Sequence, residues 1–200
     1  MAVGHETEIK LRLASRAAGR RALMRLGVKR SVARHFEDNL LFDDDSRTLL
    51  AGGGVLRLRR TPTTALLTYK GPRSVRQGVR SRLEIETRVE DGDSMQRILE
   101  GLGYRPRFRY QKYREAYRLG RCEIVLDETP IGVFLEIEGP PGSIHRIAAA
   151  LGRSRADYVL DSYVSLFFAQ GARGDMVFPW RGPGRGGDGG ARRGRRQGKP

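Results

Sequence analysis

Seven stretches of this chain alternate charged and apolar residues with period two, and that pattern limits the folds it can adopt more than any other feature. Glu6-Thr7-Glu8-Ile9-Lys10-Leu11-Arg12-Leu13 is the first, followed by Leu56–Arg59, Leu67–Lys70, Arg82–Val89, Lys112–Arg114, Val125–Asp127 and Leu135–Glu138. Successive side chains of a strand point to opposite faces, so each stretch has one ionic and one apolar face. The runs Phe36–Phe42 and Glu115–Leu119 are weaker strand candidates. Turn chemistry separates the strands at Asp43–Ser46, Gly71-Pro72, Thr129-Pro130 and Gly139–Pro141, and Gly52–Gly54 reads as a hairpin turn because no Lys-Ser/Thr follows it.

Four amphipathic segments punctuate these strands. Residues 14–26 end at Gly27, a helix capped by Ser94 stops at Gly103, another capped by Ser143 stops at Gly152, and a short last one starts at Ser162. Each carries a single apolar stripe and must lie against an apolar surface.

A half-buried sheet usually turns its polar side to water. Here the ionic faces hold Glu, Asp, Arg and Lys with almost no Ser, Asn or Gln, and there are more of them than one exposed sheet needs. The expectation is a sheet with its charges facing inward and its apolar faces outward under the helices. About eight strands then enclose side chains or one small ligand. Buried charges cost several kcal/mol each unless paired or coordinated. Acid–base pairing supplies some partners; phosphate oxygens for Arg and Lys, and Mg²⁺ or Mn²⁺ for the carboxylates, are the chemistry that supplies the rest.

The 200 residues carry a net charge of +15. The last twenty hold seven Arg and Lys against Asp188, so +6 belongs there and +9 to the first 180 residues, an excess that points to an anionic ligand. Residues 1–172 read as one domain. Residues 173–200 read as a disordered Gly/Arg-rich tail able to make weak, nonspecific phosphate contacts with nucleic acid. Cys122 is the single cysteine, and His5, His35 and His145 lack metal-ligand spacing. No apolar run spans a membrane and no secretory signal opens the chain, so the expected location is the cytoplasm.

The opening Glu6-x-Glu8-x-Lys10 resembles the ExExK signature of the CYTH domain, the family of triphosphate tunnel metalloenzymes. LRLR, TYKGP, SRLEIE, KYREAY, LDETPIGVFLEIEG and DSYVSL follow in family order over residues 5–169. The resemblance implies an α+β fold: a closed eight-stranded antiparallel β-barrel with a charged lumen and helices packed outside. It carries metal binding onto Glu6, Glu8, Asp127, Glu136 and Glu138, and phosphate binding onto Lys10, Arg57, Arg59, Lys70 and Arg114, with Lys112 on the same strand face. Arg82, Glu84 and Glu86 match a recurrent Arg-x-Glu-x-Glu pattern whose role stays open between lumen pairing and ligand contact. Leu41 departs from the aromatic that the family often has before Phe42.

GLGYRPRF, KYREAY and DETPIG are similar to the small bacterial proteins grouped with class IV adenylyl cyclases. That similarity implies conversion of ATP to cyclic AMP and pyrophosphate, with an inorganic or thiamine triphosphatase as the alternative. A nucleic-acid-binding protein would not need the repeated carboxylates, and a non-catalytic triphosphate-binding module would not keep them. On this view Glu8→Gln removes a metal ligand and like-charge repulsion together, so it abolishes turnover and leaves the fold intact.

Overall fold

The computed structural model describes residues 2–76 and 78–179. In chain order the elements are β1 (Ala2–Leu13), α1 (Arg16–Arg25), β2 (Lys29–Asp43), α2 (Thr48–Ala51), β3 (Val55–Arg60), β4 (Ala65–Lys70), β5 (Ser74–Arg76) and β6 (Val79–Val89). They continue with α3 (Gly92–Gly101), β7 (Arg105–Leu119), β8 (Cys122–Thr129), β9 (Gly132–Glu138), α4 (Pro141–Ala150), β10 (Tyr158–Val159) and α5 (Tyr163–Ala169). No helix among the described residues is long and apolar enough to cross a membrane.

The expected closed eight-stranded barrel is not what forms. The described strands make one ten-stranded sheet in the order β10-β1-β9-β8-β7-β2-β3-β4-β6-β5, with a further β1–β6 pairing. Eight antiparallel strands thus follow one another in ring-like hydrogen bonding. The ring meets at β1 without closing a barrel, because β1 engages its neighbours one after the other. Residues 2–8 pair with β6 and residues 8–13 with β9, so Glu8 alone is paired to both. Beyond Glu8, the two-residue β10 pairs with Lys10 and Leu11 of β1.

Alternation along the strands sets the two faces. Ile9, Leu11, Ile124, Leu126, Leu135 and Ile137 face outward and pack with Leu23 of α1 and Ile144, Ile147 and Ala148 of α4. A second outer cluster joins Phe42, Leu58 and Leu99, the last from α3. α1 sits so close to the sheet that a Cβ on Gly19 would come within 2.7 Å of Leu13 and 2.8 Å of Leu126.

Helix ends differ in detail from the sequence reading. Ser162 caps α5 as expected, accepting from the Ser165 amide, and Ser15 caps α1, accepting from the Ala18 amide. For α3 the cap is Asp91, to which Ser94 donates its own hydroxyl proton at 2.6 Å. α4 begins at Pro141, where a missing amide proton costs nothing, so Ser143 lies inside it. Gly52–Gly54 ends α2 rather than making a tight hairpin; Gly53, at φ 73°, takes the left-handed conformation that glycine adopts without strain.

α5 is the larger surprise, because it does not pack outside. Its Tyr163 and Phe167 join Phe108, Tyr110 and Phe134, which share strand faces with the inward charges. The helix therefore plugs one end of the concave face with an aromatic cluster. Met176 completes that cluster and is fully buried. Residues 175–178 lie along β7: the Arg109 amide donates to Asp175 (2.8 Å), the Gln111 amide to the Met176 carbonyl (2.9 Å) and the Met176 amide to the Arg109 carbonyl (3.0 Å). Phe178 packs on Tyr113 with ring centroids 5.4 Å apart, and Tyr113 in turn packs on Phe36 at 5.2 Å. Residues 180–200 of the expected tail lie outside the described residues.

Candidate active site

The concave face encloses a cavity of about 510 Å³. Period-two alternation delivers its lining: Glu6, Glu8 and Lys10 from β1, Arg57 and Arg59 from β3, Lys70 from β4, and Arg80, Arg82, Glu84 and Glu86 from β6. Lys112 and Arg114 come from β7, Glu123 from β8, and Glu136 and Glu138 from β9. All the site residues expected from the sequence line this cavity except Asp127. Eight cationic side chains face seven carboxylates there, so the basic excess of the folded part is not located in the cavity.

The charges are interleaved and largely pair with one another. Lys10 donates to Glu8 at 2.9 Å and lies 3.4 Å from Glu136. Arg80 also donates to Glu8. Lys70 bridges Glu6 at 2.7 Å and Glu84 at 3.1 Å, and Arg82 reaches Glu6 at 3.4 Å. Arg114 binds both Asp127 and Glu136. Arg57 donates to the Tyr110 hydroxyl at 3.3 Å and to Thr68 at 3.2 Å, and lies 3.6 Å from Glu86.

These pairs decide the protonation states. Burial alone would push Glu6 up, but Lys70 and then Arg82 pull it down to about 2. Burial likewise opposes ionisation of Glu136, which Lys10 and Arg114 hold well below the usual carboxylate range. Glu138 goes the other way. Among the described residues it has no hydrogen bond or ion pair, and burial, reinforced by Glu6 and Glu84, pushes it up to about 7.

A raised carboxyl pKa means that the folded state holds its proton more tightly than the unfolded one. Glu138 therefore costs the ligand-free fold nothing below about pH 4.5, and its cost grows as pH rises through 7, to at most about 3 kcal/mol. Glu138→Gln should raise the unfolding midpoint of ligand-free protein at pH 8 and leave it unchanged at pH 4.5. Thermal melts at the two pH values check this, and an equal shift at both would contradict the environment described for Glu138.

Asp127 is placed beneath the lining and is fully buried. Its Oδ1 accepts from Arg114 Nε at 2.8 Å; its Oδ2 accepts from Arg114 at 2.6 Å, Lys112 at 3.0 Å and the Tyr163 hydroxyl at 2.9 Å. Oδ2 thus accepts three hydrogen bonds and Oδ1 one.

Sequence reasoning missed Arg80, Glu37 and Tyr163. Arg80 continues the inward series of Arg82, Glu84 and Glu86 by one more step of two, so its signal was present. Glu37 lies in the weakly patterned start of Phe36–Phe42, yet it is buried, 3.4 Å from Arg59 and 3.6 Å from Lys112. Tyr163 reads as an ordinary apolar position of a short helix, and only the inward placement of α5 brings it to the cavity.

The family resemblance implies a divalent cation. Among the described residues no three His, Cys, Asp or Glu side chains are placed to hold a metal ion together. The donor chemistry nevertheless fits a hard cation: the acidic lining is oxygen only, and Glu138 makes no ion pair among the described residues.

The comparisons with known proteins agree with this architecture. The CYTH domain model matches residues 4–163. A Methanocaldococcus jannaschii protein named "putative adenylate cyclase" is 28% identical over 172 residues, which cover 80% of this chain and 97% of that protein. The solved structure of a "putative adenylate cyclase" from Vibrio parahaemolyticus has a TM-score of 0.72 at 24% identity, covering 82% of this chain and 97% of that one. A Hippeastrum "putative adenylyl cyclase", described as having a dominant triphosphatase activity, has a TM-score of 0.63 at 21% identity, covering 84% and 97%. With the motifs in order and most of the chain matched, this protein belongs to the CYTH domain family, the triphosphate-tunnel proteins.

Proposed function

We propose that the cavity binds the triphosphate group of ATP together with Mg²⁺ or Mn²⁺, and that the protein converts ATP to cyclic AMP and pyrophosphate. The observation that carries triphosphate binding is a set of unfilled donors. Arg57 Nε and Arg59 Nε are buried on the cavity lining without a hydrogen-bond partner among the described residues. Buried donors left unpaired cost free energy, and phosphate oxygens fill guanidinium donors in their preferred geometry.

Glu6, Glu8, Glu136 and Glu138 would hold the cation, which when bound neutralises triphosphate charge. Lys10, Arg57, Arg59, Lys70, Lys112 and Arg114 grip phosphate oxygens and stabilise charge on the departing pyrophosphate. Arg82, Glu84 and Glu86 pair with that set: Arg82 restrains Glu6, Glu84 restrains Lys70, and Glu86 accepts from Thr68 at 2.8 Å. In the ligand-free cavity the two charge sets neutralise each other, so triphosphate and cation replace internal ion pairs instead of entering a bare charged hole.

Cyclisation forms a bond from the ribose 3′-oxygen to the α-phosphorus, breaks the bond to pyrophosphate and releases the hydroxyl proton. Holding the ribose so that this oxygen lies near the phosphorus is worth several kcal/mol. The choice of cyclisation rests on the name of the Methanocaldococcus relative and on the similar GLGYRPRF, KYREAY and DETPIG segments. Hydrolysis is the second reading, favoured by the triphosphatase activity described for the Hippeastrum protein.

Product analysis separates the two. The protein is incubated with ATP, thiamine triphosphate and inorganic triphosphate, each in Mg²⁺ and in Mn²⁺. Cyclic AMP with pyrophosphate from ATP is the expected outcome. Orthophosphate from inorganic triphosphate, with no cyclic nucleotide from ATP under either metal, would replace the first reading with the second.

A further inference from the structure

Two carboxylates sit behind the cavity lining and touch cations or donors that face it, Glu37 also lying 3.4 Å from His35 Nε2. Asp127, fully buried, accepts from Lys112, Arg114 and Tyr163. Glu37, equally buried, lies 3.4 Å from Arg59 and 3.6 Å from Lys112. Neither lines the cavity. Lys112 is thus suspended between two floor carboxylates, and Arg114 and Arg59 are each anchored from below by one of them.

Tyr163 joins this floor from the plug. Its hydroxyl donates to Asp127, and its ring lies 5.5 Å from both the Lys10 and the Lys112 ammonium nitrogens, within cation–π range. Asp127 is fully buried, lies off the cavity lining and already accepts three hydrogen bonds at Oδ2 and one at Oδ1. The wall carboxylates Glu8 and Glu136 differ, since they line the cavity and could exchange Lys or Arg for another cation.

Resting on the triphosphate-binding reading, we propose that Tyr163, Asp127 and Glu37 are positioning residues that fix Lys112, Arg114 and Arg59 for the phosphates and contribute nothing to cation binding. The floor sets where the positive donors point; the wall carboxylates alone meet the metal.

The test separates the two ligands. Inorganic triphosphate binding in chelator and Mn²⁺ binding without triphosphate are each measured by titration calorimetry on wild type, Tyr163→Phe, Asp127→Asn and Glu136→Gln. Tyr163→Phe keeps the ring and the plug, so it tests the floor even where Asp127→Asn folds poorly. It should weaken triphosphate binding roughly tenfold, the scale of one hydrogen bond to a charged group, and leave Mn²⁺ affinity unchanged. Glu136→Gln should weaken Mn²⁺ binding. A packing defect alone would not divide the two affinities in this way. Unchanged triphosphate binding in Tyr163→Phe, or Mn²⁺ affinity falling with triphosphate affinity in the Tyr163 or Asp127 variant, overturns the inference. Absence of triphosphate binding by the wild-type protein overturns the functional reading on which it rests.

Discussion

Glu8→Gln should destabilise the ligand-free protein by about 3 kcal/mol or more, in addition to reducing turnover on the order of a hundredfold. The sequence points the other way, since a row of carboxylates suggests like-charge repulsion that the substitution would relieve. In the folded protein Glu8 is buried between Lys10 at 2.9 Å and Arg80, both of which are also buried. Removing the charge leaves Arg80 with a neutral amide in place of its carboxylate and Lys10 with Glu136 alone, at 3.4 Å. Breaking a buried ion pair from one side costs more than the pair itself contributes, because the abandoned charge loses its partner. Urea unfolding of the metal-free variant reads the effect directly. Stability equal to wild type would mean that Glu8 does not hold Lys10 and Arg80 as described.

The second large effect concerns the C-terminal boundary. A chain ending at Pro179 should unfold at the wild-type midpoint, whereas one ending at Ala172 should lose about 3 kcal/mol or more. The loss has two sources. Met176 is fully buried in the cluster of Phe108, Tyr110, Phe134, Tyr163 and Phe167, and deletion opens a cavity there. The strand edge of β7 also loses its partners at Arg109 and Gln111. Tyr110 lines the cavity and accepts from Arg57, so the shorter chain should also bind triphosphate more weakly. Denaturant melts of the two truncated chains decide the matter, and equal midpoints would show that residues 175–178 contribute nothing to the fold.

Both effects arise where a side chain's value depends on its spatial partners. The boundary at residue 172 looked natural because Arg173-Gly174-Asp175 has the composition of the tail. Periodicity cannot register a four-residue segment that pairs once with an open strand edge and inserts one methionine. Asp127 likewise shares its strand face with Glu123, which lines the cavity, so alternation alone could not show that two cations and a tyrosine would cover it.

By itself the sequence located part of each of the eight strands of the ring, though not β5 or β10, the division of those strands into an ionic and an apolar face, and thirteen of the fourteen expected residues on one cavity lining. Period two is a local property of extended backbone, and burying the apolar faces under α1, α3 and α4 leaves the ionic faces nowhere else to converge. Tertiary structure alone decided how the ring of strands meets at β1, that α5 fills the concave side, and which carboxylate neutralises which cation. Those outcomes depend on strand register and on contacts between residues far apart in the chain: Glu8 with Arg80, Arg114 with Glu136, Tyr163 with Asp127. The energy of a buried charge is fixed by the partners within a few ångströms, and those partners exist only once the sheet has curved.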